Sequence, residues 1–101
     1  MFLNNYEVVY ILRSDVTEDV NLSLINLCKS LIAKQGGKNI YVQHRGRRHL
    51  AYKIKNHYDG IYMQINYQGN GKIVQLLEKT LKFNENVIRY LTIKSNLLNS
   101  I

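Results

Sequence analysis

Eight residues, Arg45-Gly46-Arg47-Arg48-His49-Leu50-Ala51-Tyr52, hold three of the chain's five arginines. A guanidinium offers planar, paired donors that match phosphate oxygens, and it stays charged at any working pH. The run lies between two apolar-alternating stretches, Ile40-Tyr41-Val42 and Leu50, Tyr52, Ile54. The charge therefore falls on or beside a strand rather than in a tail. Gly46 lets the backbone bend there, or lets a bulky partner approach closely. This pattern predicts a grip on nucleic acid.

The remaining candidates extend the same chemistry. Arg13, Lys53, Lys55, Arg89 and Lys94 all fall at predicted strand ends or adjoining loops. Together with Arg45, Arg47 and Arg48 they form a basic rim whose affinity for a polyanion would fall steeply with salt. Adjacent strand residues point to opposite faces, so Arg47 and Arg48 cannot share one surface, and one of them is free for an ion pair or a protein interface. His49 sits within the run, where a stacking or phosphate contact competes with the simpler reading of a solvated strand residue. Basic side chains also solubilise strand edges, and for Lys53 and Lys55 that reading is as good as RNA contact.

Composition sets the bounds. With 101 residues, 46% of them hydrophobic and 21% charged, the chain reads as one domain over 1–101, with an ordered core at about 5–94 and a tail at 95–101. A net charge of +7 favours RNA, DNA or an acidic membrane surface as partner. Cys28 is the only cysteine, which excludes an internal disulfide, and its leucine-rich setting suits a buried hydrophobe better than a nucleophile. No apolar run reaches the length of a membrane span, so no spanning segment is expected, and RNA is preferred to a membrane as the partner. The N-terminus has neither a secretory signal nor the look of a transit peptide, which suggests work in the compartment of synthesis. Abundant Asn, Ile and Lys suggest an AT-rich genome, such as an organelle's.

Enzyme chemistry finds little to stand on. Seven acidic residues are scattered, and Glu18-Asp19 suit the first turn of a helix better than acid–base work. His44, His49 and His57 lack metal-ligand spacing, and His57 reads as a turn residue. Gly69-Asn70-Gly71-Lys72 lacks the spacing of a phosphate-binding loop and the hydroxyl residue after its lysine. No cofactor, metal or small-molecule substrate is expected.

The elements that must position the arginines follow from periodicity. Tyr6–Leu12 reads as a strand, Glu18–Gln35 as a helix capped by Thr17, and Lys38 to Tyr52 as a strand bent at Gly46. A polar turn over Lys55–Gly60 precedes a strand over Gly60–Tyr67. A helix over Lys72–Lys82 and a strand over Val87–Lys94 follow. In the first helix Val20, Leu24, Leu27, Leu31 and Ile32 form the expected apolar stripe. The order β-α-β-β-α-β, with one apolar stripe per helix, predicts an α+β, ferredoxin-like fold: a four-stranded antiparallel sheet with both helices on one face. Val8, Tyr10, Leu12, Ile61, Met63 and Ile65 would face the helices. Glu7, Val9, Ile11, Arg13, Tyr62, Gln64 and Asn66 would line the other face, which another molecule could partly cover. That sheet also suggests an RNA recognition motif, but the aromatic signature of its central strand is missing.

Several of these residues carry a family resemblance. Tyr6-Glu7, Gly46-Arg47-Arg48 followed by Leu50-Ala51-Tyr52, Gly60-Ile61-Tyr62 and Asn86-Val87-Ile88-Arg89 resemble the bacterial-type small-subunit ribosomal protein six family from Tyr6 to Lys94. The phrases Tyr10–Arg13, Asp59–Tyr62 and Val87–Lys94 are most similar to its cyanobacterial and plastid branch. Lys53 stands where the family often has proline. The resemblance implies a ferredoxin-like structural constituent of the small ribosomal subunit, not an enzyme. It implies binding to small-subunit (16S-type) rRNA together with ribosomal protein eighteen, in a plastid ribosome or, alternatively, in a bacterial cytoplasm. Two rivals on the same fold are a small acylphosphatase-like enzyme, which would need an anion loop with a positioned Arg and Asn, and an oligomeric sensing module using the exposed sheet face.

Overall fold

Alternating apolar and polar residues put Val8, Tyr10 and Leu12 on one side of the first strand, and all three are buried in the computed structural model, which describes residues 3–95. The elements run β1 (Asn4–Arg13), α1 (Glu18–Lys34), β2 (Lys38–Ile54), β3 (His57–Gly69), α2 (Gly71–Lys82) and β4 (Val87–Ser95). The strands form one antiparallel sheet in the order β2-β3-β1-β4. Both helices pack on the same side of it. Leu24, Cys28 and Ile32 of α1 and Ile73, Leu77 and Leu81 of α2 close one core with Val8, Tyr10, Leu12, Ile61, Met63, Ile65 and Tyr67. This is the expected ferredoxin-like arrangement. The tail predicted at 95–101 lies outside the described residues, apart from Ser95, which ends β4.

The helices begin where the sequence marks them. Thr17 caps α1 by accepting a hydrogen bond from the Val20 N–H at 3.3 Å, with Glu18 and Asp19 in the first turn. Asn70 caps α2, its Oδ1 accepting from the Ile73 N–H at 3.0 Å, so Gly69-Asn70-Gly71 is a helix entry. Replacing Asn70 with alanine is expected to cost about 1 kcal/mol, read as a lower urea midpoint at unchanged slope.

Two differences from the expected elements matter. The buried stripe of α1 is Asn21, Leu24, Cys28 and Ile32, whereas Val20 and Leu27 are exposed. Asn21 takes the inward position where hydropathy alone would place Val20; its amide donates to the Met63 sulfur at 3.6 Å while its buried Oδ1 has no hydrogen-bond partner. The expected polar turn over Lys55–Gly60 shrinks to Lys55-Asn56, and His57 belongs to β3, opposite Ile54. Lys55 and Asn56 adopt φ of 47° and 69°. Two successive left-handed residues give the tight hairpin turn whose twist matches that of the flanking strands, so β2 and β3 run on together past the body of the sheet.

Candidate nucleic-acid interface

The arginine run owes its geometry to one irregularity. β2 takes an extra residue between His44, opposite Met63, and Gly46, opposite Tyr62. Gly46 has φ of 95°, which a side chain would resist, and the insertion reverses the in–out alternation of everything after it. Arg45 and Arg48 consequently both lie on the helix-free face. Arg45 donates from Nε and Nη2 to Gln64 Oε1 at 3.0 and 2.7 Å, and the Gln64 amide donates onward to Asn66 Oδ1 at 3.0 Å. The Arg48 guanidinium sits over the Tyr62 ring, 5.7 Å from its centre. Arg47 lies on the opposite side. Its Nη1 donates to the Ser14 carbonyl at 2.7 Å, and it lines a cavity of about 210 Å³ with His44, Glu18 and Asn21 at the start of α1. Arg47 and Arg48 diverge as expected, and Arg47 is tied to the chain's own Ser14 carbonyl, which is neither an ion pair nor a contact with another protein.

A second irregularity bends the hairpin. β2 advances from His49 to Ile54 while β3 covers only Asp59 to His57, so the surplus on β2 curls toward the helix-free face. Leu50, Ala51, Tyr52 and Ile54 roof an open cavity of about 360 Å³ whose floor includes Val9, Ile11, Tyr62 and Leu91. Arg89 Nη1 donates to Tyr52 Oη at 2.9 Å. That bond joins β2 to β4 across two intervening strands and sets the attitude of the arm. Ile11, on the face without helices and beneath the arm, is only 7% exposed. The face expected to be covered by another molecule is thus covered in part by the chain itself.

The other candidates are dispersed. Lys53 Nζ lies 5.2 Å from the centre of the Tyr58 ring on the facing strand of the arm. Lys55 occupies the turn at its tip, and exposed His49 stands opposite Asp59 at its base. Arg13 is ion-paired to Asp15 at 2.8 Å. Lys94 stands opposite Tyr6 on β4, in the helix-side row and far along the sheet from the arm. By register Arg13, Arg45, Arg48 and Arg89 share the helix-free face, Lys53 and Lys55 belong to the arm, and Arg47, His49 and Lys94 fall in helix-side rows.

Sequence reasoning missed Tyr52 as the acceptor for Arg89, Gln64 as the anchor of Arg45, and the apolar rim of β4. Leu91 and Ile93, 59% and 46% exposed, follow Arg89 in alternate register on the helix-free face. The alternation Arg89, Leu91, Ile93 was the available signal for that rim. Burial pushes the Cys28 thiol up to about 11, in keeping with a core residue rather than a nucleophile. Among the described residues no cluster of three or more His, Cys, Asp or Glu is placed to hold a metal ion, and no helix is long and apolar enough to cross a membrane.

Comparison with known proteins agrees with this architecture. The family model described as ribosomal protein S6 matches residues 5–94. Small ribosomal subunit protein bS6c of Porphyra purpurea is 59% identical over 99 residues, covering 98% of this chain and 88% of that protein. Small ribosomal subunit protein bS6 of Synechococcus sp. (strain RCC307) is 50% identical over 90 residues, covering 89% of this chain and 67% of that protein. The crystal structure of 30S ribosomal protein S6 from Thermotoga maritima superposes with a TM-score of 0.86 at 29% identity, covering 97% of this chain and 92% of that one. These relatives are structural proteins of the ribosome, not enzymes, and the acylphosphatase-like reading is set aside on that ground. Red-algal relatives of the plastid type fit a ribosome in the plastid, and cyanobacterial ones are consistent with a bacterial cytoplasm. With a family match across nearly its whole length, relatives of this identity and the same fold, the chain belongs to the ribosomal protein S6 family of the small ribosomal subunit.

Proposed function

We propose that the chain binds small-subunit rRNA jointly with ribosomal protein eighteen and thereby supports subunit assembly and translation. The observation that carries this reading is the division of the helix-free face. Toward β2 and the arm it is basic and polar, with Arg45, Arg48, Gln64 and Asn66 joined by hydrogen bonds and stacking. Along β4 beyond Arg89 it is apolar, with Leu91 and Ile93 exposed beside the cavity floored by Val9 and Ile11. A polyanion suits the first half and not the second, whereas a protein surface suits the second. Contacts of this kind recognise the shape and backbone of folded RNA more than its base edges.

The role is architectural. A preformed sheet holds the cations in register before RNA arrives, so little ordering entropy is spent at binding. Joint engagement makes the second contact effectively intramolecular, and affinity for RNA should rise by about 10²-fold when both proteins are present. Filter binding of the central-domain rRNA by the chain, with and without ribosomal protein eighteen, tests this. Equal affinity in the two cases would remove the joint mechanism.

A further inference from the structure

The candidate cations differ in how far the fold has already committed them. Arg45, Arg47, Arg13 and Arg89 each donate at 2.7–3.0 Å to a partner within the chain, so they act as struts. The arm is different. His49 and Lys55 have no hydrogen bond or ion pair among the described residues, and Lys53 only overlies an aromatic ring, which leaves its N–H donors free. Residues 44–58 hold five of the chain's fourteen Lys and Arg, all three histidines and no acidic residue. Arg45, Arg47 and Arg48 lie where β2 pairs within the sheet, so Lys53 and Lys55 are the cations on the part of the hairpin that runs on past it.

The arm is also built to keep its attitude. Its tip is a two-residue turn with both residues left-handed, which is stiff. Leu50, Ala51 and Ile54 face the sheet across the open cavity, and Arg89 holds Tyr52 at 2.9 Å from the far side of the sheet. A preorganised finger with free donors near its tip, no acidic residue over 44–58 and a hydrogen-bonded tether behind it has the properties that phosphate contact requires.

We propose that the tip of the β2–β3 arm, through Lys53 and Lys55, grips the phosphate backbone of the RNA, while the more prominent arginines Arg45, Arg47 and Arg89 mainly position that arm and the sheet beneath it. This assignment rests on the RNA-binding reading above and adds to it which residues touch the RNA.

The test compares Lys53→Ala/Lys55→Ala with Lys72→Ala/Lys79→Ala, two exposed lysines of α2 that change net charge equally. Affinity for central-domain rRNA would be measured across a salt series with the partner protein present. The arm variant should bind about tenfold more weakly at moderate salt, with the slope of log affinity against log salt smaller by about 1.5. The α2 variant should change affinity less than about twofold. Tyr52→Phe, which keeps every charge and removes the hydroxyl that Arg89 holds, should weaken binding by about threefold at unchanged slope. Equal losses in the two lysine variants, or no loss in the arm variant, would overturn the proposal. So would weakened association with the partner protein in the absence of RNA, which would make the arm a protein contact. If the unaltered pair fails to bind the RNA at all, the underlying RNA-binding reading falls, and this assignment with it.

Discussion

Gly60→Ala is expected to lower the stability of the chain by about 3 kcal/mol, near the upper end of what added volume costs in a packed interior. Gly60 sits in β3 between Arg13 of β1 and Arg48 of β2, at the centre of the sheet. A Cβ built there would lie 2.5 Å from Cγ2 of Ile11 and 2.8 Å from the carbonyl oxygen of Leu12. The Ile11 side chain could swing away only into the floor of the cavity under the arm, losing its burial. The Leu12 carbonyl is backbone of the neighbouring strand and cannot yield unless β1 and β3 separate. Thermal unfolding should show a fall of about 15 °C for a domain of this size. Gly71→Ala is the matched control. Nothing lies within 4 Å of a Cβ at Gly71, and alanine at the start of a helix should be neutral or stabilise by about 0.5 kcal/mol. A Gly60→Ala protein as stable as the Gly71→Ala protein would show that the approach of β1 to β3 at Gly60 is not the constraint described.

The elements of the fold were readable because local pattern and tertiary role agree in most of them. Ile61, Met63 and Ile65 alternate because one face of β3 is core, and Thr17 ahead of Glu18-Asp19 marks a helix start that packing then uses. The site was less readable, for a specific physical reason. Alternation carries side-chain direction only while the register is regular, and β2 breaks register twice, at Gly46 and between His49 and Ile54. Gly46 signalled a bend, but only pairing with β3 shows that the bend inserts a residue and sends Arg45 and Arg48 to one side. The second break has no glycine or proline to announce it. It is fixed by the cavity beneath Leu50 and by the Arg89–Tyr52 bond between residues 37 positions apart, which no local pattern encodes. Asn21 in the core of α1 is similar, since its partner is the sulfur of Met63 on another element. The Arg-Arg-x-Leu-Ala-Tyr element was informative as a family mark before its geometry was known. Its leucine, alanine and tyrosine turn out to be the roof of the arm rather than part of the sheet's charged edge.

Leu91→Asp should reduce association with the partner protein by about 100-fold while leaving the chain folded, because it puts a carboxylate into an apolar surface that must lose water. Leu91 lies on edge strand β4, opposite Val9 of β1 and at the rim of the cavity. At 59% exposure it contributes little to the core, and a charge on an edge strand disfavours only edge pairing, so stability should change by less than about 0.5 kcal/mol. The predicted failure is therefore one of recognition. Ile93, two residues along and 46% exposed, lies on the same face opposite Glu7, so Ile93→Asp should act in the same direction and the double variant should associate more weakly than either single one. Titration calorimetry of the two purified proteins separates this from an effect on RNA, and the RNA arm of the experiment then gives a second outcome. With the partner present, Leu91→Asp should bring RNA affinity down to that of the chain alone and no further, because the basic arm is intact. A Leu91→Asp protein that still associates normally would mean that the apolar half of the sheet is not where the partner sits. One that loses RNA affinity below the level of the isolated chain would mean that RNA, rather than protein, covers β4. The two halves of the helix-free face thus make opposite, separately measurable predictions: charge removed from the arm changes the salt slope, and charge added to β4 changes only the gain from the partner.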